Sequence, residues 1–351
     1  MFMTGLGTAA APRCYAQREC WEALLESARF QQLRPRSRAI LRKVLNGSNG
    51  VATRHLALEN LAQAFELTPD VLQARFARHA PALATQAAER ALADSGNLAG
   101  EIDALVISTC TGYLCPGLTS YVSERLGCRP DALTLDLVGQ GCVAALPNLC
   151  ISEALVASGR CRRVLSICVE VCSAALYFDD DPGVLISACL FGDGAGAAVL
   201  ANDPGGKRPV KWKANGSLLE PKGRNLLRFE HKDGMLRNIL TPQVPAVAAR
   251  NAATVLDQVL ARTGIPRAEV KAWVLHPGGR DVLLALRQEL GLNDHDLRWS
   301  TAVLRDFGNL SSASVYFVLQ AALGDSAPNG YWWLSSFGAG FSCHGALLEV
   351  G

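Results

Sequence analysis

Three residues suited to acyl transfer lie far apart in this sequence of 351 residues, each beside glycine or serine. Cys142 follows the string Gly-Gln-Gly, His276 precedes Pro-Gly-Gly, and Asn309 lies within Gly-Asn-Leu-Ser-Ser-Ala-Ser. A cysteine supplies the nucleophile for thioester chemistry, while an imidazole and a carboxamide supply two N–H donors for one oxyanion or enolate. Because no carboxylate stands in a comparable motif as a base for water, the residues favour condensation over hydrolysis.

Each of the three residues also has a purely structural interpretation. Cys142 opens an Ala- and Leu-rich helical segment whose N-terminus is expected to favour a thiolate, but a core thiol is the alternative. His276 follows an apolar strand, where α/β active sites concentrate, although a single histidine is more often structural. Asn309 precedes an apolar helix and is a candidate N-cap. Ser311 and Ser312 are able to cap that helix instead, which leaves the Asn309 amide free to donate elsewhere.

The elements that must position these residues alternate between short apolar strands and helical patterns. Strands are predicted at Asp103–Thr109, Ala132–Asp136, Arg163–Cys168, Gly196–Leu200, Ala272–Leu275, Tyr331–Ser335 and Ala346–Val350. Helices are predicted at Thr68–Ser95, Cys142–Ser158, Val244–Thr263, Asp281–Leu290 and Ser311–Leu323. The first strand is too short for a helix and rich in β-branched residues, which predicts burial on both faces, and the others resemble it. Such alternation predicts a layered α/β fold.

The two halves of the sequence end in the same way. Phe191 and Phe337 each begin a glycine-rich turn that leads to a strand of small apolar residues, which indicates an internal duplication. The stretch from Asn202 to Lys213 is charged and rich in turn residues, so a boundary is expected there. We therefore predict an N-terminal half, residues 1–205, that carries the cysteine, and a C-terminal half, residues 206–351, that carries the histidine and the asparagine.

Composition and net charge limit the classes of partner and site that we expect. The net charge of +2, from 34 basic and 32 acidic residues, gives no bulk electrostatic reason to expect nucleic acid or an anionic membrane. The twelve cysteines are scattered, without a Cys-x-x-Cys pair or a preceding export signal, so reduced thiols in the cytoplasm and no metal site are expected. Apolar stretches end well short of the roughly 20 residues that cross a bilayer, so no transmembrane segment is predicted. No cofactor is expected.

At the three motifs the chain resembles the type III polyketide synthases, the chalcone synthase-like branch of the thiolase superfamily. The separations of 134 residues from Cys142 to His276 and 33 from there to Asn309 fit that family. Ketoacyl-carrier-protein synthases III share the three residues, but they usually have Gln-Ala-Asn after the histidine. Within the family, the strings from Cys110 to Tyr121 and from Leu227 to Asn238 resemble bacterial alkylresorcinol and alkylpyrone synthases.

The resemblance implies a thiolase-like fold, in which two similar βαβαβαββ halves form an α-β-α-β-α core, and a homodimer. It also implies a mechanism. Cys142 would receive a fatty acyl chain, and His276 and Asn309 would hold the carbonyl of malonyl-CoA while CO2 leaves. The enolate would attack the bound acyl group, so that each round adds two carbons. Acyl-CoA is the expected starter donor, with an acyl carrier protein or a fatty acid synthase as a further candidate partner.

The resemblance also implies a set of substrate-binding residues. They are Phe191, Cys110, Cys115, Cys172, Ala175 and Ser311. Phe191 matches a residue at the junction of the CoA tunnel and the cavity, and Cys115 matches one that reaches across the dimer interface. Cys110 and Ala175 replace two threonines of the plant enzymes, and these less polar walls suit an alkyl chain, at about 0.8 kcal/mol per buried methylene.

Two further features concern the cavity. A second guarding phenylalanine of the plant enzymes is missing, and Arg237 or Asn238 lies near its place. The run Gly192–Gly196 lacks the lysine and the helix of a phosphate loop, so it is predicted to be a tight turn lining the active site.

Three alternatives remain open at this level. The first keeps the reaction but uses a small or aromatic starter, or malonyl-CoA alone. The second is a ketoacyl synthase that depends on a carrier protein and makes one condensation. The third is an inactive thiolase-like dimer that only binds acyl-CoA or a partner enzyme.

Overall fold

The computed structural model describes residues 1–47, 49–205, 208–325 and 327–351. The strands are β1 (Phe2–Ala10), β2 (Arg13–Ala16), β3 (Thr53–Leu56), β4 (Ala104–Ser108), β5 (Leu133–Leu137), β6 (Arg163–Glu170), β7 (Gly194–Ala201), β8 (Val210–Leu219), β9 (Leu227–Lys232), β10 (Met235–Leu240), β11 (Val270–Leu275), β12 (Gly330–Gly338) and β13 (Ser342–Val350). The helices are α1 (Gln17–Glu26), α2 (Ala28–Gln32), α3 (Pro35–Asn46), α4 (Pro69–Ser95), α5 (Leu118–Leu126), α6 (Ala145–Ala157), α7 (Pro182–Leu190), α8 (Val244–Thr263), α9 (Arg280–Glu289), α10 (Arg298–Phe307) and α11 (Ser314–Gly324).

Nine strands form a mixed sheet in the order β11-β12-β13-β8-β1-β7-β6-β4-β5. Strands β1 and β8 join only where Phe2 and Met3 pair with Lys211 and Val210, so the sheet consists of two portions. In one portion β4 runs parallel to β6, which pairs antiparallel with β7, and β7 pairs antiparallel with β1. The other portion repeats this order, with β11 parallel to β12, and then β13 and β8 antiparallel.

Helices cover both portions and also separate them. Helices α6 and α11 contact strands of both portions and form the central layer. Helix α4 covers β1 and β7 on one outer face, and α8 covers β8 and β13 on the other. The layers therefore run α-β-α-β-α, which confirms the predicted architecture. Among the described residues, no helix combines the length and the hydropathy needed to cross a membrane.

The sequence patterns located the central elements well, and the exceptions have physical causes. Strand β5 was expected to be buried on both faces, but it pairs only with β4 at the sheet edge and Leu133 is 40% exposed. A proline in the interior of a helix costs a hydrogen bond, but Pro147 avoids this cost. Because α6 begins at Ala145, Pro147 lies in the first turn, where backbone N–H groups have no partner within the helix. The patterns missed β8 and the hairpin of β9 and β10.

The predicted boundary between the halves falls on a gap in the description. Gly206 and Lys207 lie outside the described residues. Strand β7 ends at Ala201 and β8 begins at Val210, so the boundary between residues 205 and 206 remains a prediction.

A buried asparagine fixes the central helix α6 on the sheet. Asn148 is fully buried, and its Nδ2 lies 3.2 Å from the carbonyl oxygen of Val106 and 2.9 Å from that of Ile167. Its Oδ1 accepts a hydrogen bond of 2.8 Å from Ser166 Oγ. One side chain thus joins α6 to both β4 and β6, and sets the position of the turn that precedes the helix.

We expect Asn148→Ala to lower the free energy of unfolding by about 2–3 kcal/mol, because several buried polar groups lose their partner at once. Denaturant unfolding followed by circular dichroism measures this change. Asn225→Ala is the matched control, since Asn225 is exposed, and we expect it to stay within about 0.5 kcal/mol of the parent. Equal effects at the two positions would contradict the role given to Asn148.

Candidate active site

Cys142 lies in a short 3₁₀ turn, Gly141–Val143, between β5 and the central helix α6. Gly141 has a φ of +62°, which favours glycine, and leads the chain sharply into this turn. The end of β12 holds the turn from the other side. Ser336 Oγ donates a 3.0 Å hydrogen bond to the carbonyl oxygen of Cys142, and a Cβ on Gly338 would lie 2.6 Å from Val143 N.

Asn309 occupies the corresponding position before the second central helix, α11. Its Nδ2 donates a 3.2 Å hydrogen bond to the carbonyl oxygen of Gly278, and its Oδ1 accepts one of 2.8 Å from the N–H of Ser311. The prediction that Ser311 and Ser312 cap α11 and leave the Asn309 amide free was wrong in part. The side chains of Ser311 and Ser312 do not cap α11 but turn toward Glu170, and the Asn309 oxygen satisfies the backbone instead. One proton on Nδ2 remains for another acceptor.

His276 directly follows β11 and is 99% buried, with 1% of its surface exposed. Its backbone N–H donates a 2.9 Å hydrogen bond to Ser335 on β12. The imidazole meets the Phe337 ring edge-on, with 5.2 Å between ring centroids. Neither ring nitrogen has a hydrogen-bond partner within the described part of the chain. Buried polar groups are rarely left without a partner, so both nitrogens are candidates for contact with a substrate.

A chain of contacts joins the three motifs. Asn309 binds Gly278, two residues after His276, and also the N–H of Ser311. Ser311 Oγ lies 3.3 Å from the sulfur of Cys142. Ser311 has a φ of +51°, a costly conformation for a residue other than glycine, and such strain concentrates at functional sites. Phe337 and the glycine that follows it lie between the imidazole and the cysteine turn.

Burial keeps both reactive groups neutral when each is considered alone. It raises the pKa of the Cys142 thiol to about 12, an effect that the hydrogen bond from Ser311 opposes and the nearby Glu170 reinforces. It lowers the pKa of His276 to about 3. Burial thus opposes the thiolate that the helix N-terminus is expected to favour.

Glu170, at the end of β6, is a buried carboxyl group that sequence reasoning did not select. It accepts hydrogen bonds from the N–H of Cys110 at 3.0 Å, from Thr111 Oγ1 at 3.0 Å and from Ser312 Oγ at 2.5 Å. Ser311 Oγ lies 3.3 Å from the same carboxyl group. Burial raises its pKa. The sequence feature that could have identified it is a glutamate at the end of a mostly apolar strand, since a glutamate is rarely buried without a partner.

A cavity opens directly on the sulfur of Cys142, and the space between its walls, open solvent included, is about 590 Å³. Four of the six predicted substrate-binding residues lie in its wall, namely Phe191, Cys172, Ala175 and Ser311. Cys110 is joined to this wall, with its sulfur 3.4 Å from Ser311 Oγ. Cys115 is exposed on the surface. His276 and Asn309 are not among its described lining residues, although Asn309 is hydrogen-bonded to Ser311, which is.

Arg237 and Asn238, the two residues near the place of the missing second phenylalanine, lie in different environments. Asn238 lines the cavity. Arg237 instead turns to carboxylates, with Nε 2.7 Å from Asp179 and Nη1 2.6 Å from Glu230. The glycine run was expected to be a tight turn, but Gly194 already begins β7.

The chain is similar to known proteins over nearly its whole length. Residues 1–204 match the family model for the N-terminal domain of chalcone and stilbene synthases, and residues 217–348 match the model for the C-terminal domain. The 3,5-dihydroxyphenylacetyl-CoA synthase of Streptomyces toyocaensis is 30% identical over 360 residues, which cover 99% of this chain and 89% of that protein. The alpha-pyrone synthesis polyketide synthase-like Pks18 of Mycobacterium tuberculosis is 28% identical and covers 86% and 80%.

Among solved structures, the 1,3,6,8-tetrahydroxynaphthalene synthase of Streptomyces coelicolor A3(2), a bacterial type III polyketide synthase, matches with a TM-score of 0.90. The two are 24% identical, and the match covers 100% of this chain and 99% of that one, which confirms the thiolase-like fold. Since the two family models together span most of the sequence, the chain belongs to the chalcone and stilbene synthases, the type III polyketide synthases, which are acyltransferases that form carbon–carbon bonds.

Proposed function

We propose that this polyketide synthase extends a long fatty acyl starter with malonyl-CoA, and that Cys142, His276 and Asn309 carry the reaction. Cys142 Sγ attacks the thioester carbonyl of acyl-CoA, and CoA leaves with the thiol proton. Malonyl-CoA then loses CO2, and the resulting enolate attacks the acyl carbonyl. A carbon–carbon bond forms, the bond to sulfur breaks, and Cys142 is free for another round. Cyclisation yields an alkylresorcinol, an alkylresorcylic acid or an alkylpyrone.

The observation that carries the proposal is the link between Asn309 and Cys142 through Ser311, at the wall of a cavity. The free proton on Asn309 Nδ2 and the N–H of a neutral His276 are the two donors that an enolate oxygen requires. A neutral imidazole suits this role because it donates without adding a buried charge. Cys142 is only partly exposed, at the wall of the cavity, which limits the access of water to a thioester intermediate.

The lining of the cavity supports a fatty acyl starter. Ala175, Leu176, Val184 and Ala188 form an apolar part of the wall, which also includes the polar Asn238 and Arg228. Burial of each methylene against such a wall contributes about 0.8 kcal/mol, so a long chain gains affinity that a small starter does not. The name of the mycobacterial relative, an alpha-pyrone synthase, fits a lactone product.

A second candidate keeps the chemistry but changes the starter. The relatives named as 3,5-dihydroxyphenylacetyl-CoA and tetrahydroxynaphthalene synthases favour an aromatic product built from a small starter or from malonyl-CoA alone. For either candidate, acyl-CoA is the proposed starter donor, with an acyl carrier protein or a fatty acid synthase as the alternative.

We also propose a homodimer, a cytoplasmic location and two halves that meet between residues 205 and 206. The exposed segments after β4 and β5 support the dimer, because these parallel neighbours end at the same edge of the sheet. Tyr113 is 67% exposed there and Val138 is 57% exposed, and Cys115 lies in the same segment as Tyr113. Large exposed apolar side chains grouped in this way are typical of an interface.

Incubation with palmitoyl-CoA and labelled malonyl-CoA is expected to give labelled pyrone or phenolic lipids, detected by mass spectrometry. Cys142→Ala should abolish these products, because no acyl enzyme forms. Cys14→Ala is the control, since Cys14 is exposed on β2. If palmitoyl-CoA stays unused while acetyl-CoA or malonyl-CoA alone gives aromatic products, the second candidate is correct.

The pH dependence of decarboxylation tests the state of His276. In Cys142→Ala, which lacks the thiol, malonyl-CoA decarboxylation is expected to vary little between pH 5.5 and 8.5. Burial lowers the pKa of His276 to about 3, so the imidazole remains neutral through that whole range. His276→Gln, which keeps an N–H donor, should retain more activity than His276→Ala, for which we expect a loss of about 10²- to 10³-fold. An inflection near the ordinary histidine pKa, absent from the glutamine variant, would contradict a neutral buried imidazole.

The wall at Ala175 tests starter length. Ala175→Phe places a ring in the cavity and is expected to lower kcat/KM for palmitoyl-CoA at least about tenfold relative to acetyl-CoA, because methylene burial is lost. Starter competition followed by mass spectrometry measures this ratio. The control Ala93→Phe makes the same change on the exposed face of α4 and should leave the ratio unchanged. Equal loss with both starters would show that Ala175 does not select chain length.

A further inference from the structure

A second cavity lies beside the first and has no part in the mechanism above. It is enclosed by helices α1 and α3, the 3₁₀ turn Leu61–Phe65 and helix α7, and its space, open solvent included, is about 420 Å³. Its wall is mostly apolar, with Leu24, Leu45, Phe65 and Phe178 among its members. It shares Leu176 and Ala188 with the cavity at Cys142, so the two spaces adjoin at these side chains.

One charged residue, Arg54, stands in this apolar wall. Only 5% of its surface is exposed. Its Nη1 donates to the carbonyl oxygens of Ala188 at 2.8 Å and Phe191 at 3.2 Å, at the C-terminal end of α7, where the helix dipole favours a cation. Within the described residues, no carboxylate lies at ion-pair distance from this guanidinium.

The other edge of the Arg54 guanidinium has no such partners. Its Nε is buried without a hydrogen bond in the described part of the chain. The hydrogen bonds that the guanidinium makes to described residues all come from Nη1. Nε and Nη2 form the side of a guanidinium that binds a carboxylate with two parallel hydrogen bonds. The hydrogen bonds that cap α7 therefore account for Nη1. They do not account for the burial of the edge formed by Nε and Nη2, which suits an anion. A buried cation without a paired anion is costly, and such groups mark binding sites.

We propose that the second cavity binds a carboxylate at the end of an alkyl chain. The carboxylate lies against Nε and Nη2 of Arg54, and the chain packs on the leucine and phenylalanine side chains. A carboxylate supplies the charge and the two acceptors that this edge lacks, and an alkyl chain matches the rest of the wall. An uncharged chain would leave Nε and Nη2 without acceptors.

Two sources of such a ligand share this chemistry. The carboxylate is either the distal end of a dicarboxylic acyl chain on Cys142, which passes between Leu176 and Ala188, or a separate fatty acid. The first source rests on the function proposed above, whereas the binding of a carboxylate amphiphile does not.

Isothermal titration calorimetry with dodecanoate and dodecanol tests the binding, and requires no catalysis. We expect the wild-type protein to bind dodecanoate at least about tenfold more tightly than dodecanol, the effect of hydrogen bonds to a charged group. Arg54→Gln should remove this preference, and Arg54→Lys, a point charge without the forked geometry, should restore only part of it. Ala23→Trp, which places an indole ring at the wall of the cavity and leaves Arg54 unchanged, should weaken both ligands.

Turnover then distinguishes the two sources. If the carboxylate belongs to the starter, the monothioester of dodecanedioic acid with CoA should exceed lauroyl-CoA in kcat/KM, and Arg54→Gln should reverse the order. If it belongs to a separate fatty acid, dodecanoate should bind while starter preference is unaffected by Arg54→Gln. Equal affinity for dodecanoate and dodecanol, or binding of dodecanoate unchanged in Arg54→Gln and Ala23→Trp, would overturn the proposal. Failure of palmitoyl-CoA turnover alone would count only against the proposed starter.

Discussion

The carboxamide of Asn309 is the interaction on which the arrangement of the site depends. It binds a carbonyl oxygen just beyond His276 on one side and the N–H of Ser311 on the other, and Ser311 in turn reaches the sulfur of Cys142. The segment of Cys142 lies more than a hundred residues before the other two in the sequence. All three segments nevertheless share one rigid set of hydrogen bonds. Rigid placement of donors matters because a group aimed in advance needs no reorganisation when charge develops.

The repeated fold explains why these segments meet. Helices α6 and α11 both lie in the central layer, and Cys142 and Asn309 lie in the short segments that precede them. His276 comes from the end of β11, next to β12, whose last residues contact the cysteine turn. A duplicated layered core therefore brings two helix N-termini to one place, and each half contributes a different side chain to the chemistry.

Burial sets the electrostatic character of this place. The thiol, the imidazole and the Glu170 carboxyl group all lose water, and for each of them loss of water opposes the charged form. These three side chains are thus neutral before the reaction, and charge develops on them only during it. The buried Arg54 differs, because its guanidinium keeps its charge and lies in an apolar wall, which makes it a feature of binding rather than of the reaction.

Local patterns in the sequence determined the layered α/β class, the bounds of long helices such as Val244–Thr263, and the three motifs with their spacing. These depend on periodicity, turn residues and residue type, which act over a few neighbours. The sequence did not reveal that β5 lies at an edge, that Asn309 binds Gly278, or that Glu170 is buried beside the site. Only the tertiary structure decided these features, and the two adjoining cavities, because they depend on which distant segments pack together and on how much water that packing removes.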